Sequence, residues 1–288
     1  MEKGTLILVG TPIGNLEDIT YRAIKTLKEV DFIVAEDTRV TLKLMNHYEI
    51  KNKLISYHKY STLAKSQQII DKILSGESCA LVSDAGMPCI SDPGEQLVKL
   101  AKENGVNVTV VPGPCAAIAG LAISGMDTSQ FVFEGFLSTN KKNRLEGLNS
   151  LINEHRTIIF YEAPHKLKNT LRDLIKIFGN RKISIVKEIT KIHESVMMFN
   201  LKDAVNYFNS IENIKGEFVL ILEGNKEYNT EEIIDVDEAV NMIYKLHNES
   251  NVPYSEAVKI VAEKTGHKKN ELYKLVVENK YINKIENR

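Results

Sequence analysis

The sequence has few cysteines, no excess of charge of either sign and no long apolar run. Its three cysteines, Cys79, Cys89 and Cys115, lack the paired short spacing of a zinc site, so we expect ordinary thiols and no bound metal. Lys and Arg total 37 against 38 for Asp and Glu, which excludes a general attraction to nucleic acid or membrane and leaves only local basic surfaces. No stretch approaches about 18 apolar residues, and the first residues lack the pattern of an export signal. We therefore expect a soluble cytoplasmic protein.

The glycine-containing loop GTPIGN, at residues 10–15, also lacks the spacing of a phosphate-binding loop. Gly10 and Gly14 are one residue too close together, and no Lys followed by Ser or Thr comes after them. The three-glycine dinucleotide fingerprint is absent as well, which argues against a nicotinamide-dependent oxidoreductase, and Pro12 removes a backbone N–H that a phosphate would need. The loop follows an apolar run, so it is predicted to lie where α/β sheets bind ligands, without phosphate chemistry. A turn that simply needs glycine stays open as the alternative.

The order of the apolar runs predicts an α/β fold. In the first 113 residues, short apolar runs alternate with amphipathic stretches, which is typical of a parallel sheet covered by helices on both faces. Gly76 and Gly105 stand where two of these helices are predicted to end. From residue 131 onward, five strand-like runs are separated by only two helical stretches, around 140–153 and 164–178, so an antiparallel or mixed sheet is expected.

The last part of the chain is predicted to be helical. Residues 225–238 are polar and acidic and are interpreted as a linker. Three stretches with helical periodicity follow, the last two joined by TGH at 265–267, which is a minimal helix-turn-helix. RNA contact and plain packing both stay open for this segment. The predicted domains are two α/β domains, 1–114 and 115–225, and a helical domain, 236–288.

The segment SDAGMPCISDPG, at residues 83–94, carries two aspartates with different expected roles. Asp84 directly follows a predicted strand, so it can accept hydrogen bonds from an amine or a ribose while the backbone at Gly86 lies against a flat ring. Asp92 precedes Pro93 and is predicted to cap the next helix, because Asp before Pro is a helix start signal.

Basic residues and histidines follow several of the other predicted strands. Arg39, in AEDTRV, either belongs to an internal ion network or is free to bind phosphate. The stretch NKKNR at 140–144 can follow a phosphate backbone, with solvated surface as the alternative. His165 and His193 are too far apart in sequence to indicate a metal site, and no nucleophile has a recognisable base, so hydrolase chemistry has little support.

Taken in order, the motifs resemble those of the tetrapyrrole methylase superfamily over about residues 4–224. They are VGTPIGN, AEDTR, SDAGMPCISDPG, VVPGPCA, EGF, YEAPHKL, KEITKIHE and GEFVLILEG. Within the superfamily they are most similar to the branch that 2′-O-methylates a cytidine ribose in 16S ribosomal RNA and carries a C-terminal helix-turn-helix. The resemblance implies S-adenosylmethionine in a cleft between two α/β domains, a homodimer, and 16S rRNA or the assembled small ribosomal subunit as partner. Tetrapyrrole-modifying members have a richer glycine loop ending in Asp, so GTPIGN argues against a porphyrinoid substrate.

The resemblance also implies a set of site residues. The cofactor is expected to lie against Pro12, Asp84, Ala85, Gly86, Met87, Cys115, Ala116, Ala117, Tyr161 and Ala163. For the RNA phosphates we consider Arg39, Lys141, Lys142, Arg144, His165 and Lys191. For a general base we consider Lys187 and Glu188, with His58, His165 and His193 behind them. A precorrin-type tetrapyrrole C-methyltransferase and a non-catalytic RNA-binding protein on the same fold stay open as alternatives.

Overall fold

The computed structural model describes residues 3–58, 60–226, 235–250 and 252–286. The chain up to Asn225 forms one compact unit and the chain from Lys226 a second, and each is described by itself. The predicted division of the first unit at residue 114 stays a prediction. None of the helices in the described residues is both long and apolar enough to cross a membrane.

The first unit begins with a fully parallel five-stranded sheet. Its strands are β1 (Thr5–Val9), β2 (Phe32–Ala35), β3 (Leu54–Ser56), β4 (Cys79–Val82) and β5 (Asn107–Val111), in the spatial order β3-β2-β4-β1-β5. The helices between them are α1 (Tyr21–Glu29), α2 (Thr38–His47), α3 (Leu63–Leu74) and α4 (Glu95–Glu103). Apolar clusters lie on both faces of the sheet. The predicted parallel sheet is confirmed.

Helix α2 was not predicted from the sequence. It begins because the side chain of Asp37 accepts a hydrogen bond from the backbone N–H of Arg39 at 2.8 Å. It is held to the sheet by two buried residues on one face, Thr41 and Met45. By contrast, Gly76 and Gly105 directly follow the ends of α3 and α4 with positive φ angles of 107° and 63°, which confirms their predicted place.

The second sheet of the same unit is mixed, as predicted. Its strands are β6 (Phe131–Phe136), β7 (Thr157–Glu162), β8 (Lys182–Lys187), β9 (Ser195–Asn200) and β10 (Phe218–Leu222), in the order β6-β7-β10-β8-β9. Only β6 and β7 pair in parallel, and the other pairs are antiparallel. The helices are α5 (Ala116–Ile123), α6 (Lys141–Ser150), α7 (Leu167–Phe178) and α8 (Leu201–Asn209).

Helix α8 corrects the prediction of only two helical stretches after residue 131. It starts directly after β9, without the glycine or proline that usually marks such a change. Its buried residues Leu201, Ala204 and Phe208 recur at helical spacing and pack into the main core of the second sheet. Full burial of a side chain such as Phe208 contributes roughly 1.5–3 kcal/mol.

Two elements connect the sheets. Helix α5 packs its residues Ala117 and Leu121 on the second sheet, against Ile159 and Val219. Ile13, from the loop after β1, packs against the same cluster. These contacts bring the carboxyl edge of the first sheet against one edge of the second.

The second unit is a three-helix cluster. Helices α9 (Val236–Ser250), α10 (Tyr254–Thr265) and α11 (Lys269–Glu286) surround a small apolar core that includes Ile243, Val258 and Leu272. Between α10 and α11, Gly266 adopts a left-handed φ of 71°, which confirms the predicted glycine turn. The predicted linker falls mainly on residues 227–234, outside the described residues.

Candidate active site

A cavity of about 400 Å³ lies where the two sheets meet. Its wall comes from the loops after β1, β2, β4 and β8, from the start of α5, and from the ends of β6, β7 and β10 nearest the first sheet. The carboxyl ends of parallel strands are where open α/β sheets bind ligands. The cavity is therefore where the sequence predicted a ligand.

At the floor of the cavity, the backbones of the loops after β1, β4 and β5 are in direct contact. Thr11 and Gly86 exchange two hydrogen bonds, with N···O distances of 2.9 and 3.1 Å, and Gly86 has a φ of 79° that favours glycine. A Cβ on Gly10 would lie 2.7 Å from the Cα of Gly113. Side chains at these positions would separate the loops after β1, β4 and β5, so the glycines fix the floor.

The cavity wall carries negative charge only. Five carboxylic acids line it: Glu36, Asp84, Asp92, Glu162 and Glu217. Within the part of the chain that the structure describes, no Lys, Arg or His belongs to the wall. Such a wall attracts a cation and repels phosphate.

Three of these acids have partners in the protein. The Oδ1 atom of Asp84 accepts a hydrogen bond from the backbone N–H of Asp37 at 3.0 Å. Glu162 is buried and accepts hydrogen bonds from the N–H of Ala163 and the hydroxyl of Thr170. The side chain of Glu217 is 78% exposed and pairs with the ammonium of Lys191.

Glu36 and Asp92 are the two acids with raised pKa values. Burial raises the pKa of Asp92 from 3.8 to about 6, although a hydrogen bond from the side chain of Ser83 lowers it, and the nearby charge of Asp84 raises it further. Burial also raises the pKa of Glu36, with Asp92 and Asp84 adding repulsion. The pKa of half-buried Asp37 falls to about 2, chiefly because Arg39 donates hydrogen bonds to it. Carboxylates with a raised pKa in a cleft are candidates for proton transfer.

The prediction that Asp92 caps a helix is wrong. The cap residue of α4 is Gly94, with a φ of 134° and no side-chain cap hydrogen bond. Pro93 therefore precedes the cap instead of opening the helix, and the chain reverses between Asp92 and α4. Asp92 is left in the cavity wall.

An aromatic group contributes to the part of the cavity wall that comes from the second sheet. The Oη of Tyr161 accepts a hydrogen bond from the backbone N–H of Ala117 at 3.0 Å, and burial raises the pKa of its phenol. The ring centroids of Phe133 and Phe136 lie 5.0 and 5.4 Å from that of Tyr161. Tyr161 therefore ties the second sheet to the start of α5.

Strained backbone surrounds the site. Five non-glycine residues have positive φ angles in the described chain, and four of them flank the cavity: Cys89, Ser91, Glu188 and Thr190. Each such residue stores of order 1–3 kcal/mol, and such strain concentrates at functional sites.

Eight of the ten predicted cofactor residues line the cavity together. They are Asp84, Ala85, Gly86, Met87, Cys115, Ala116, Tyr161 and Ala163. Pro12 and Ala117 are buried beside the wall and do not line it. That these residues bind a cofactor stays a prediction.

The two residues considered as general base do not line the cavity. The Oε1 atom of Glu188 accepts hydrogen bonds from the N–H of Glu217 at 2.8 Å and from Lys191 at 2.9 Å. A Cβ on Gly216 would lie 2.6 Å from its Cγ. The geometry favours a structural role for Glu188, while Lys187 ends β8 beside it.

The residues considered for RNA phosphates differ in their exposure and in whether a carboxylate of the protein already binds them. Arg39 is exposed but binds Asp37 through both carboxylate oxygens. Lys191 lies between two carboxylates, and the side chain of Arg144 is only 17% exposed and pairs with Asp173 at 2.8 Å. The remaining candidates and the other histidines considered are exposed, namely Lys141, Lys142, His165, His58 and His193. Arg144 therefore joins two helices instead of facing a ligand.

Sequence reasoning missed three wall residues that the geometry emphasises. Glu36 stands inside the motif AEDTR, and Phe136 ends the motif EGF, so both were within motifs that the sequence had marked. Glu217 likewise stands within a marked motif, GEFVLILEG, directly after its first glycine. The sequence signal that could have identified these three residues is their position next to a glycine of a motif or at the end of a predicted strand.

Comparison with known proteins agrees with this architecture. Residues 5–205 match the family model described as Tetrapyrrole (Corrin/Porphyrin) Methylases, and residues 235–280 match the RsmI C-terminal HTH domain. The chain is 51% identical over 226 residues to Ribosomal RNA small subunit methyltransferase I of Halalkalibacterium halodurans, covering 78% of each chain. It is 44% identical over 281 residues to the protein of the same name from Synechocystis sp., covering 96% of this chain and 98% of the relative.

A solved structure shares the fold. Uroporphyrin-III C-methyl transferase from Thermus thermophilus, complexed with S-adenyl homocysteine, superposes with a TM-score of 0.55 at 16% identity. The match covers 76% of this chain and 97% of that one. At this identity the likeness concerns the fold alone.

Proposed function

We propose, from the premise that the chain belongs to the tetrapyrrole (corrin/porphyrin) methylase family, that it methylates 16S ribosomal RNA with S-adenosylmethionine as methyl donor. The acceptor is the 2′-hydroxyl of a cytidine ribose in the small ribosomal subunit. The proposal includes a cytoplasmic location, which action on ribosomal RNA supports.

The observation that carries the proposal is the wall of carboxylates without a basic residue. S-adenosylmethionine carries a sulfonium and an ammonium group against a single carboxylate, so it is a net cation without phosphate that suits this wall and needs no phosphate-binding loop. Asp84 suits its ribose or amine, and the bare backbone at Gly86, with Met87 and Ala116 nearby, suits its adenine ring. The residues present therefore fit this donor.

When bound, the donor supplies an electrophilic methyl group on positively charged sulfur. The contribution of the chain is orientation and the exclusion of water. Tyr161 and Ile13 hold the two sheets together around the site, and the apolar Val219 and Ile189 line it. Alignment of two reactants in this way supplies several kcal/mol of barrier lowering.

A tetrapyrrole substrate has less support. Precorrin-type macrocycles carry several carboxylates, which the five wall carboxylates would repel. RNA avoids this repulsion if only one nucleoside enters and its phosphates stay outside. Lys141, exposed at the start of α6, is available for such phosphates, and Lys142 beside it is held only by an exposed pair with Glu146 at 3.9 Å.

The proposal includes a homodimer. All residues of α5, AAIAGLAI, are apolar, and its outer side exposes Ile118 and Ile123. Helices that are apolar on all sides are normally buried. Val110 is exposed on the edge strand β5 of the first sheet. A second copy of the chain would cover these residues, and light scattering of Ile118→Glu, expected to be monomeric, tests this against the wild type.

Methyl transfer from labelled S-adenosylmethionine tests the proposed function. Purified protein is incubated with unmethylated 30S particles, with naked 16S rRNA and with a precorrin. We expect label in 16S rRNA, recovered as 2′-O-methylcytidine, from at least one of the two RNA substrates. Label in the precorrin alone would contradict the proposal, and no transfer together with no donor binding would favour a non-catalytic RNA-binding protein.

A further inference from the structure

The rim of the cavity presents a flat ring, an aliphatic side chain and a carboxylate that the methyl donor does not require. Phe136 is 56% exposed and Ile90 is 46% exposed, although both line the cavity. Asp92 lies in the same wall. Exposed aromatic rings at the mouth of a site are suited to stack a second, planar ligand.

The backbone directs Phe136 to this rim. The register between β6 and β7 shifts between Phe133 and Gly135, and Gly135 has a φ of 63°. Such a bulge reorients the side chain that follows it, which here is Phe136. The ring of Phe136 then packs on that of Tyr161, in the wall of the cavity.

The chain neighbours of Phe136 and Asp92 are in contact across the cleft. A Cβ on Gly135 would lie 2.7 Å from the Oγ of Ser91, so the bulge of β6 touches the loop after β4. Phe136 directly follows Gly135 in the chain, and Asp92 directly follows Ser91. The left-handed φ of 64° at Ser91 fixes the turn that leads into Asp92.

Asp92 is the wall carboxylate best placed for a ligand that stacks on Phe136. Asp92 accepts one hydrogen bond, from the side chain of Ser83, whereas Asp84 is bound by the backbone of Asp37 and Glu162 is enclosed by its own partners. Glu36 directly follows β2 and faces both Asp84 and Asp92, but it does not adjoin β6. Only Asp92 adjoins the contact between the loop after β4 and β6.

We propose that this rim is a nucleoside subsite, in which an unstacked base lies on Phe136 and the ribose 2′-hydroxyl donates its proton to Asp92. The proposal rests on the proposed function and names the residues that bind its acceptor. Single-stranded bases in RNA are commonly recognised by stacking on aromatic side chains. A carboxylate accepts a hydrogen bond from a ribose hydroxyl without needing a basic neighbour.

The chemical step balances with these groups. A bond forms between the ribose O2′ and the methyl carbon, and the bond between that carbon and sulfur breaks with its electron pair left on sulfur. The O2′ proton passes to the carboxylate of Asp92, which later releases it to water. The products are the 2′-O-methyl ribose, a neutral thioether and one proton.

Asp92 must be ionised to accept the proton. Its pKa is raised to about 6 by burial, and the titratable groups that face it are Glu36, Asp84, Cys89 and Tyr161. Above about pH 6 the carboxylate is charged, and below it the carboxyl is protonated and cannot act as base. The rate of transfer is therefore expected to rise as the pH increases through about 6 and then to level.

Two pairs of variants test the subsite in full-length protein with 30S particles. Phe136→Ala is expected to raise KM for the RNA substrate by about 10-fold or more, since stacking on an aromatic ring contributes about 1–3 kcal/mol per base. Phe136→Tyr, which keeps an aromatic ring, is expected to recover most of the RNA affinity that Phe136→Ala loses. Asp92→Asn is expected to lower kcat by about 10²–10⁴ and to abolish the pH limb near 6, while Asp92→Glu retains part of the activity.

Donor binding by calorimetry separates this subsite from the donor site. Phe136→Ala and Phe136→Tyr are expected to bind S-adenosylmethionine within about 3-fold of the wild type, and the two Asp92 variants are expected to lose less donor affinity than they lose in kcat. The control Tyr21→Ala removes an aromatic ring that is 96% exposed on α1 and should change neither measurement. Weaker donor binding in Phe136→Ala with an unchanged KM for RNA would assign the ring to the donor and overturn the subsite.

The subsite and the proposed function can fail separately. If the wild type methylates 30S particles but Phe136→Ala and Asp92→Asn retain its kcat and KM, only the subsite is refuted. If the wild type transfers no methyl group to any rRNA substrate, the proposed function itself fails, and the subsite with it.

Discussion

Replacing Asp92 by Asn should make the protein more stable at pH 8 while it removes activity. The raised pKa means that folding opposes ionisation of this carboxyl, because burial and Asp84 disfavour its charge. For an acid with a raised pKa, the stabilising contribution is full below the unfolded value of 3.8 and is lost as pH rises through about 6. At pH 8 the wild type therefore folds with an unfavourable charge that Asn does not carry.

The size of the effect follows from the same pKa. The rise of the Asp92 pKa from 3.8 to about 6 corresponds to a loss of about 3 kcal/mol at most from the free energy of unfolding when the carboxyl is ionised. Asp92 is only partly buried, and solvent screening reduces this to about 1 kcal/mol. The increase in the free energy of unfolding caused by Asp92→Asn should be full above about pH 6 and should shrink as the pH falls from 6 to 4.

Urea unfolding at pH 8 and at pH 5 measures this gain, with the m-value as the check on comparable unfolding. Glu162→Gln is the matched contrast. Its carboxylate accepts hydrogen bonds from Ala163 and Thr170, so an amide there should destabilise by about 1–3 kcal/mol. A loss of stability at pH 8 in Asp92→Asn would refute the reasoning, because it would show that the carboxylate is a structural hydrogen-bond acceptor.

Three further substitutions test the packing around the site. Gly10→Ala places a Cβ 2.7 Å from the Cα of Gly113, so we expect a lower melting temperature and weaker donor binding by calorimetry; unchanged binding would contradict the role of this floor. Arg144→Ala breaks a partly buried ion pair and should lower the melting temperature without changing KM for 30S particles, whereas a raised KM would restore it as an RNA contact. Tyr161→Phe leaves the N–H of Ala117 without its acceptor, so we expect donor affinity to fall by about 5- to 10-fold, and wild-type affinity would count against the link between β7 and α5.

The sequence predicted the position of the cavity but not the roles of its acids. Strand ends are visible as apolar runs followed by polar loops, so Asp84 could be assigned to a sheet edge from local pattern alone. The local pattern around Asp92, an Asp followed by Pro, indicates a helix cap, yet Gly94 takes that place. The burial of Asp92 depends on β6 and β7, which are about 40 or more residues away in sequence.

Contacts between residues distant in sequence also explain why the local pattern indicated a general base at Lys187 and Glu188. Lys187 and Glu188 stand at a strand end beside a histidine-containing loop, which is a reasonable local signal. The distant contacts that occupy Glu188 come from Gly216 and Glu217, which lie just before β10 and follow a whole intervening helix. Phe136 was missed for a related reason, since the bulge that turns it toward the cavity depends on pairing with β7.

The central claim is that the acidic cavity serves methyl transfer to 16S rRNA. Mass spectrometry of nucleosides from 16S rRNA, in cells that lack this protein and express either the wild type or Asp84→Ala, tests it most directly. We expect one 2′-O-methylcytidine to be absent without the protein, restored by the wild type and not restored by Asp84→Ala. An unchanged set of 2′-O-methylcytidines in cells without the protein would contradict the account.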